Sequence, residues 1–339
     1  RSAVVARKGA VATSQPLAAQ AGLQMIKDGG NAVDAAVATA AVLNVVEPGS
    51  TGIGGDMFAL IWDRGERKVV ALNGSGRQAA AANVADVRKA GFESIPNFGP
   101  GSHFAVSVPG TVHGWETALK EYGRMTLREV LQPAIRYAID GYAVSEVIAH
   151  GWQAAETIAK LQYRPSGNEL LPGSGGGAPR YGEIVTLPEL GNTLQMIAEG
   201  GSEAFYTGEI ARKTAAFIQS EGGWLTEDDL AGHHSDWDEA ISVNYRGVDV
   251  WECPPNGQGI AALIALNLAE GFDLPSMGPQ SPDRYHYLIE SMRRGYADAL
   301  QYVADPRVTE VPIGPLLSKD YANRRRASIS GVQADPAVS

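Results

Sequence analysis

Cysteine is nearly absent from this chain. The single Cys253 excludes an intrachain disulfide and cannot by itself build a metal site. Basic charge is in deficit as well: 28 Lys and Arg stand against 38 Asp and Glu, a net charge of −10. That balance argues against a nucleic-acid surface and for a soluble protein. No apolar run reaches the ~18 residues that a membrane span requires. Also missing are a G-x-S-x-G elbow, an H-E-x-x-H pair, a phosphate-binding P-loop and a C-x-x-C pair. The chain starts at Arg1 with neither Met nor a signal-like segment, which leaves a processed or trimmed start open and any export signal out of view. The compartment stays open between cytoplasmic and periplasmic or secreted.

Glycine, by contrast, is abundant: 40 of 339 residues, against a usual share of about 7%. One glycine-rich run is Glu47-Pro48-Gly49-Ser50-Thr51-Gly52-Ile53-Gly54-Gly55-Asp56-Met57-Phe58. Two readings of this run stand side by side. One is a tight helix-to-strand connection. The other is a concavity lined by backbone N–H groups, with Gly52, Gly54 and Gly55 free of any Cβ that would block a close approach. A dinucleotide fingerprint is excluded, because that motif follows a strand and opens a helix whereas this run follows a helix and enters a strand.

Before the run, Gly9 to Thr13 reads as a short strand and Pro16 to Lys27 as a helix stopped by Gly29-Gly30. Asn31 is a good N-cap for the next helix, and Asp34 stands where a carboxylate complements the helix dipole. That helix, Ala32 to Val46, is apolar nearly all round and too short for a bilayer, which predicts a buried core helix. Met57 to Trp62 and Lys68 to Leu72 predict a hairpin, followed by a flexible loop, Asn73-Gly74-Ser75-Gly76-Arg77. Arg77 is either an ordinary surface charge or a carboxylate clamp, for which its bidentate fork is well shaped.

Further on, Val84 to Ala90 predicts a short helix, Phe104 to Val108 a strand, and Thr111 to Tyr122 a helix. Thr126 and Glu129 form a capping box ahead of Leu127 to Asp140, and Thr226 with Asp229 repeats the arrangement before Leu230. Tyr142 to Leu161 reads as mostly helical and Ser166 to Gly182 as a solvent-facing loop or lid. Helices are expected at Leu190 to Glu199, Glu209 to Glu221, Ile260 to Leu268 and from Pro282 to Ala299. Ile241 to Tyr245 and Val248 to Glu252 predict a second hairpin turned at Arg246-Gly247. Arg324-Arg325-Arg326 reads as a helix end or a partner contact. No internal repeat appears, nor a linker that would cleanly split the chain.

Candidate chemistry is thin. His233-His234 with Asp236 and Asp238 sketches a metal site, but the bland reading is a polar loop. His103 and His113 bracket a strand-turn-helix and read as structural. Cys253 has no positioned base in view. The residues alone describe a glycine-rich α/β protein with a backbone-lined pocket.

Several blocks nevertheless carry a family likeness. Gly29-Gly30-Asn31-Ala32-Val33-Asp34-Ala35-Ala36-Val37-Ala38 closely resembles the GGNAxDAAVA segment of the gamma-glutamyltranspeptidase family. Gly52-Ile53-Gly54-Gly55-Asp56-Met57-Phe58 resembles its GxGGxxF motif. Val108 to Gly114, Gly223 to Leu230, and Tyr296-Ala297-Asp298 followed by Asp305-Pro306 agree as well, so the likeness runs from about Gly9 to Tyr321. It implies an α+β fold, the four-layer αββα sandwich of an N-terminal-nucleophile hydrolase. The whole chain, residues 1–339, would be a single large-subunit domain intertwined with a small subunit from the same precursor. In that family the precursor, a zymogen, cuts itself in front of a threonine, which becomes the nucleophile and uses its own α-amine as base. No catalytic residue is therefore expected in this chain, and no block resembles the threonine-led subunit before Ser339.

The implied function is that of a gamma-glutamyltransferase or gamma-glutamyl hydrolase of glutathione metabolism, a heterodimer working through an acyl-enzyme without metal or organic cofactor. A dimer of heterodimers stays open; nucleic acid is not an implied partner. In typical members an arginine within F-R-E-x-x-P, after the second hairpin strand, clamps the substrate α-carboxylate. Here the run is Asn73-Gly74-Ser75-Gly76-Arg77-Gln78-Ala79, which puts Ser75 opposite the usual arginine and Arg77 two residues later. The departure resembles the transpeptidase-like and cephalosporin-acylase-like branch. Two alternatives follow: an acylase for glutaryl or cephalosporin side-chain amides, and a non-catalytic scaffold or binding homologue.

Overall fold

A computed structural model describes residues 3–163 and 165–338; Arg1 and Ser339, on which the expectations about the chain's ends turn, lie outside them. In chain order the first elements are α1 (Pro16–Lys27), α2 (Ala32–Val46), β1 (Met57–Asp63) and β2 (Lys68–Gly74). Next come α3 (Val84–Lys89), α4 (Thr111–Tyr122), α5 (Leu127–Asp140), β3 (Tyr142–Ala143), α6 (Glu146–Trp152) and α7 (Ala155–Gln162). The middle of the chain adds β4 (Ile184–Val185), α8 (Pro188–Gly200), α9 (Glu203–Tyr206), α10 (Glu209–Ser220) and α11 (Glu227–Ala231). The last part holds β5 (Asp236–Glu239), β6 (Ile241–Tyr245), β7 (Val248–Glu252), α12 (Gly259–Ala269), α13 (Pro282–Tyr302), α14 (Ile313–Leu316) and α15 (Lys319–Arg326). Among the described residues no helix is long and apolar enough to cross a membrane.

Residues up to Met57 together with Gly74–Ser235 form one compact unit. Its centre is α2, in which Val37, Ala38, Ala41, Val42, Val45 and Val46 are all buried. Each such valine contributes ~1.5–3 kcal/mol on leaving water. The helix starts where Asn31 accepts from the N–H groups of Val33 and Asp34, while Asp34 accepts from Asn31 N–H in return. Asp34 does more than cap. Fully buried, its carboxylate also takes the N–H groups of Arg124 and Met125, at 3.0 Å each, and so ties α2 to the entry of α5. The capping boxes at Thr126 and Thr226 both form, each with its acidic partner three residues on.

Residues Phe58–Asn73 and Asp236–Ser339 make up the second unit. Its sheet has the order β1-β2-β5, with β5 antiparallel to β2 in the register Val70↔Glu239 to Asn73↔Asp236. The β6–β7 hairpin turns at Arg246-Gly247, with Val243 opposite Val250. A second core gathers Ile260, Ile264 and Leu268 of α12 with Ala299, Leu316 and Ala322. The triple arginine is a helix end with internal partners. Arg325 pairs with buried Asp298 at 2.7 Å, and Arg326 donates to the carbonyls of Leu268 and Asn267 at 2.8 and 2.7 Å, closing the C-terminal end of α12.

Two expected strands are corrected. Gly9 to Thr13 is irregular and pairs with no strand among the described residues. Phe104 does not lie in a strand: Ser102–Ala105 is a 3-10 turn, and only Ser107 reaches a bridge, to Gln78. Conversely, β5 was not foreseen, because Asp-Trp-Asp-Glu has low strand propensity and gains it from the β2 edge. Between Tyr142 and Leu161 the chain is mostly helical as expected, in two helices, α6 and α7, behind the two-residue β3. The Gly173 to Gly182 segment is also more ordered than a simple lid. Gly173 bridges Gly177, and the Glu183 carboxylate accepts from Ser174 and from Arg180 N–H, which draws its pKa down to about 2.

Candidate functional site

The glycine-rich run leaves α2 at Glu47, whose N–H still bonds Leu43 O, and turns twice before β1. Ser50 and Thr51 N–H return to Glu47 O, and Gly55 N–H to Gly52 O at 3.0 Å. Gly49, Gly52 and Gly54 face open space, and none of the four glycines takes a positive φ. A Cβ at 49, 52 or 54 would meet nothing within 4 Å, so the tight connection does not itself require glycine at these positions. What these positions supply is bare surface.

The steric demand lies on the segments that meet the run. Gly55 O accepts the N–H groups of Gly110 and Thr111, at 2.9 and 3.0 Å, and Thr111 Oγ1 donates to Asp56 O at 3.0 Å. Asp56 Oδ1 in turn lies 3.4 Å from Gly76 N. Arg77 O accepts Val108 N–H at 2.8 Å. A Cβ on Gly76 would sit 1.3 Å from Val108 O, and one on Gly110 would sit 1.7 Å from Gly74 O. Ser75-Gly76-Arg77 is thus a pinned crossing rather than the flexible loop expected, with Ser75 half-buried and Arg77 exposed beside the end of the glycine-rich run.

Beneath this crossing lies a polar cluster that sequence reasoning passed over. His113 Nδ1 stands 3.1 Å from Ser235 N, 3.0 Å from Ser235 Oγ and 3.1 Å from Thr117 Oγ1. Tyr206, whose phenol donates to Pro109 O at 2.7 Å, stacks on the ring of His233. Burial raises the Tyr206 pKa, keeping the phenol a neutral donor. Of these residues the sequence singled out His113, just after Val108-Pro109-Gly110, and His233, but not their meeting; Ser235 arrives from far along the chain.

Other candidates fall away. Among the described residues no group of three or more His, Cys, Asp and Glu could hold a metal ion, so His233, His234, Asp236 and Asp238 make no such site. Asp236 instead pairs with Arg307. Cys253 is buried, with its thiol pushed up to about 11 by desolvation and by the charges of Glu252 and Asp238, which leaves it a poor nucleophile near neutrality. His103 lies tilted against Phe104, with ring centroids 4.2 Å apart.

An α+β chain with this helix-to-strand crossing matches a known class of enzyme. The chain belongs to the gamma-glutamyltranspeptidase family, whose model matches residues 18–339. Its fold is the N-terminal-nucleophile hydrolase fold of that family. It is 38% identical over 338 residues to the glutathione hydrolase-like YwrD proenzyme of Bacillus subtilis, covering 99% of this chain but 62% of that protein. Among solved structures, cephalosporin acylase from Bacillus halodurans is 42% identical with a TM-score of 0.86, covering 97% of this chain and 62% of that one. The gamma-glutamyltranspeptidase of Helicobacter pylori is 30% identical with a TM-score of 0.90, covering 99% and 95% respectively. The chain therefore spans about three fifths of the curated relative's length.

Proposed function

We propose that this chain is the large-subunit part of an amide-cleaving enzyme that acts on γ-glutamyl amides, with a nucleophilic threonine supplied by a small subunit of the same precursor. The observation that carries the reading is the pinned crossing of Ser75-Gly76-Arg77 over Val108 next to the glycine-rich run, in a chain of this family. Arg77 is the substrate-carboxylate contact, offering a two-donor fork to the α-carboxylate. Ser75 adds a hydroxyl, and Gly52, Gly54 and Gly55 form the backbone wall. The threonine hydroxyl, deprotonated by its own α-amine, attacks the γ-carbonyl and expels the amine. Water or an acceptor amine then takes the acyl group.

The companion subunit is supported by two findings: the curated relative of which this chain spans 62% is a proenzyme, and β1 leaves alternate apolar residues uncovered. Phe58, Leu60 and Trp62 are 41, 40 and 61% exposed. Both units of the chain would then belong to one large-subunit domain closed by that companion.

An acylase for glutaryl or cephalosporin side-chain amides is the second reading, favoured by the 42% identity to a cephalosporin acylase. One experiment decides. The enzyme processed from its full-length precursor is assayed on γ-glutamyl and glutaryl anilides, wild type against Arg77→Ala. The γ-glutamyl reading expects KM for the γ-glutamyl anilide to rise at least ~10-fold, the size of one charge-assisted bidentate contact. Equal KM for both proteins sinks Arg77 as clamp, and a preference for the glutaryl substrate selects the acylase.

A further inference from the structure

The His113 cluster has no role in the chemistry above, yet its geometry is specific. A backbone N–H can only donate, so the 3.1 Å contact from Ser235 N requires a lone pair on His113 Nδ1. The ring is therefore neutral, with its proton on Nε2, and the Ser235 and Thr117 hydroxyls gather around the same acceptor. Ser235 Oγ lies 3.3 Å from where a Cβ on Gly74 would stand, and Gly74 is otherwise enclosed by Met57 O and Gly114. Gly74 O in turn abuts Gly110, so Gly74 runs close between the Ser235 hydroxyl and the start of α4, with no room for a side chain. The next residue is Ser75.

From this we infer that His113 is a positioning residue: in its neutral form it fixes Ser235 under Gly74, and so holds Ser75-Gly76-Arg77 in place for the substrate carboxylate. The inference rests on the substrate reading of Arg77 given above. A proton on Nδ1 turns the acceptor into a donor facing the fixed Ser235 N–H, and the support under Gly74 is lost. Titratable groups beside the ring include Tyr206 of α9, edge-on at 6.1 Å, and His233, edge-on at 5.5 Å. Glu116, also on α4, is engaged by Ser202 and Lys120. Protonation would thus also set a cation beside His233. Substrate affinity should fall as acidification protonates the ring, which the Ser235 N–H donor opposes.

His113→Asn separates this role from a purely structural one, because Asn Oδ1 can occupy the place of Nδ1 and accept from Ser235 N–H without titrating. In the processed enzyme, wild-type KM for the γ-glutamyl anilide should rise about fivefold from pH 7.5 to 5.5, the worth of one net hydrogen bond, with kcat changing in parallel in both proteins. In His113→Asn the KM should stay flat; an acid rise as large as in wild type overturns the inference. Amide exchange at Ser235, corrected for intrinsic rates, gives the second readout, with protection lost at pH 5.5 in wild type and kept in His113→Asn. Protection that is unchanged in wild type overturns the inference whatever the kinetics show. Lost protection with a flat wild-type KM also overturns it, and Arg77→Ala then locates the fault. If that variant is equally silent, the substrate reading has failed; if it raises KM, the link from His113 to the loop has failed.

Discussion

Gly76 lies so close to Val108 that no side chain of any kind fits between them: a Cβ would stand 1.3 Å from the Val108 carbonyl oxygen and 2.4 Å from its carbon. Both neighbours are backbone, so nothing flexible can give way. Gly76→Ala should therefore cost more than ~3 kcal/mol, beyond ordinary overpacking, because the crossing itself must open. Gly54→Ala, which faces open space, should stay within ~0.5 kcal/mol. Urea midpoints of the two variants test the contrast, and a Gly54→Ala that unfolds the protein would contradict it.

Asp34 is a fully buried carboxylate of the first unit, accepting the N–H groups of Asn31, Arg124 and Met125. Asp34→Asn keeps the shape but replaces one oxygen by a donor that faces backbone donors. A loss of ~2–3 kcal/mol is expected, since the hydrogen bonds involve a charged acceptor and leave buried amides unsatisfied. The same variant should leave KM untouched in whatever protein remains folded, which separates this fold residue from the site.

Glu290 and Arg294, one turn apart on α13, form a buried ion pair at 2.6 Å that also holds the chain near Ser328 and Asp335. Burial on its own would raise the Glu290 pKa. Hydrogen bonds from Arg294 and Arg293 and from Asp335 N–H outweigh it, and the pKa is lowered. A lowered folded-state pKa means stability that is fully present above the ordinary carboxyl value near 4.3 and lost as pH falls through the folded value. Arg294→Ala should cost ~3 kcal/mol at pH 7, because it strands a buried carboxylate. That penalty should shrink at pH 3, where Glu290 can be protonated. Urea melts of wild type and variant at both pH values check it; a penalty that grows on acidification would refute the assignment.

Much of this architecture was legible in advance because its signals are local. Asn31 with Asp34, Thr126 with Glu129 and Thr226 with Asp229 each announce a helix within four residues, and all three boxes form. The all-round apolar stretch Ala32 to Val46 likewise marked the buried helix. The candidate site was legible only as a neighbourhood. Ser75, Arg77 and the glycine-rich run could be named, but the fixed crossing was read as a flexible loop. The glycines with a steric duty turned out to be Gly76 and Gly110 rather than Gly49, Gly52 and Gly54.

The sequence by itself determined the helices, the two hairpins and the family, since caps, turns and periodicity act between residues a few positions apart. Tertiary structure alone decided that Asp-Trp-Asp-Glu becomes a strand, that Asp34 anchors a distant loop, and that Ser235 meets His113. Each of these depends on groups far apart in the chain, and a buried donor or an unpaired strand edge finds its partner only once the chain has closed around it.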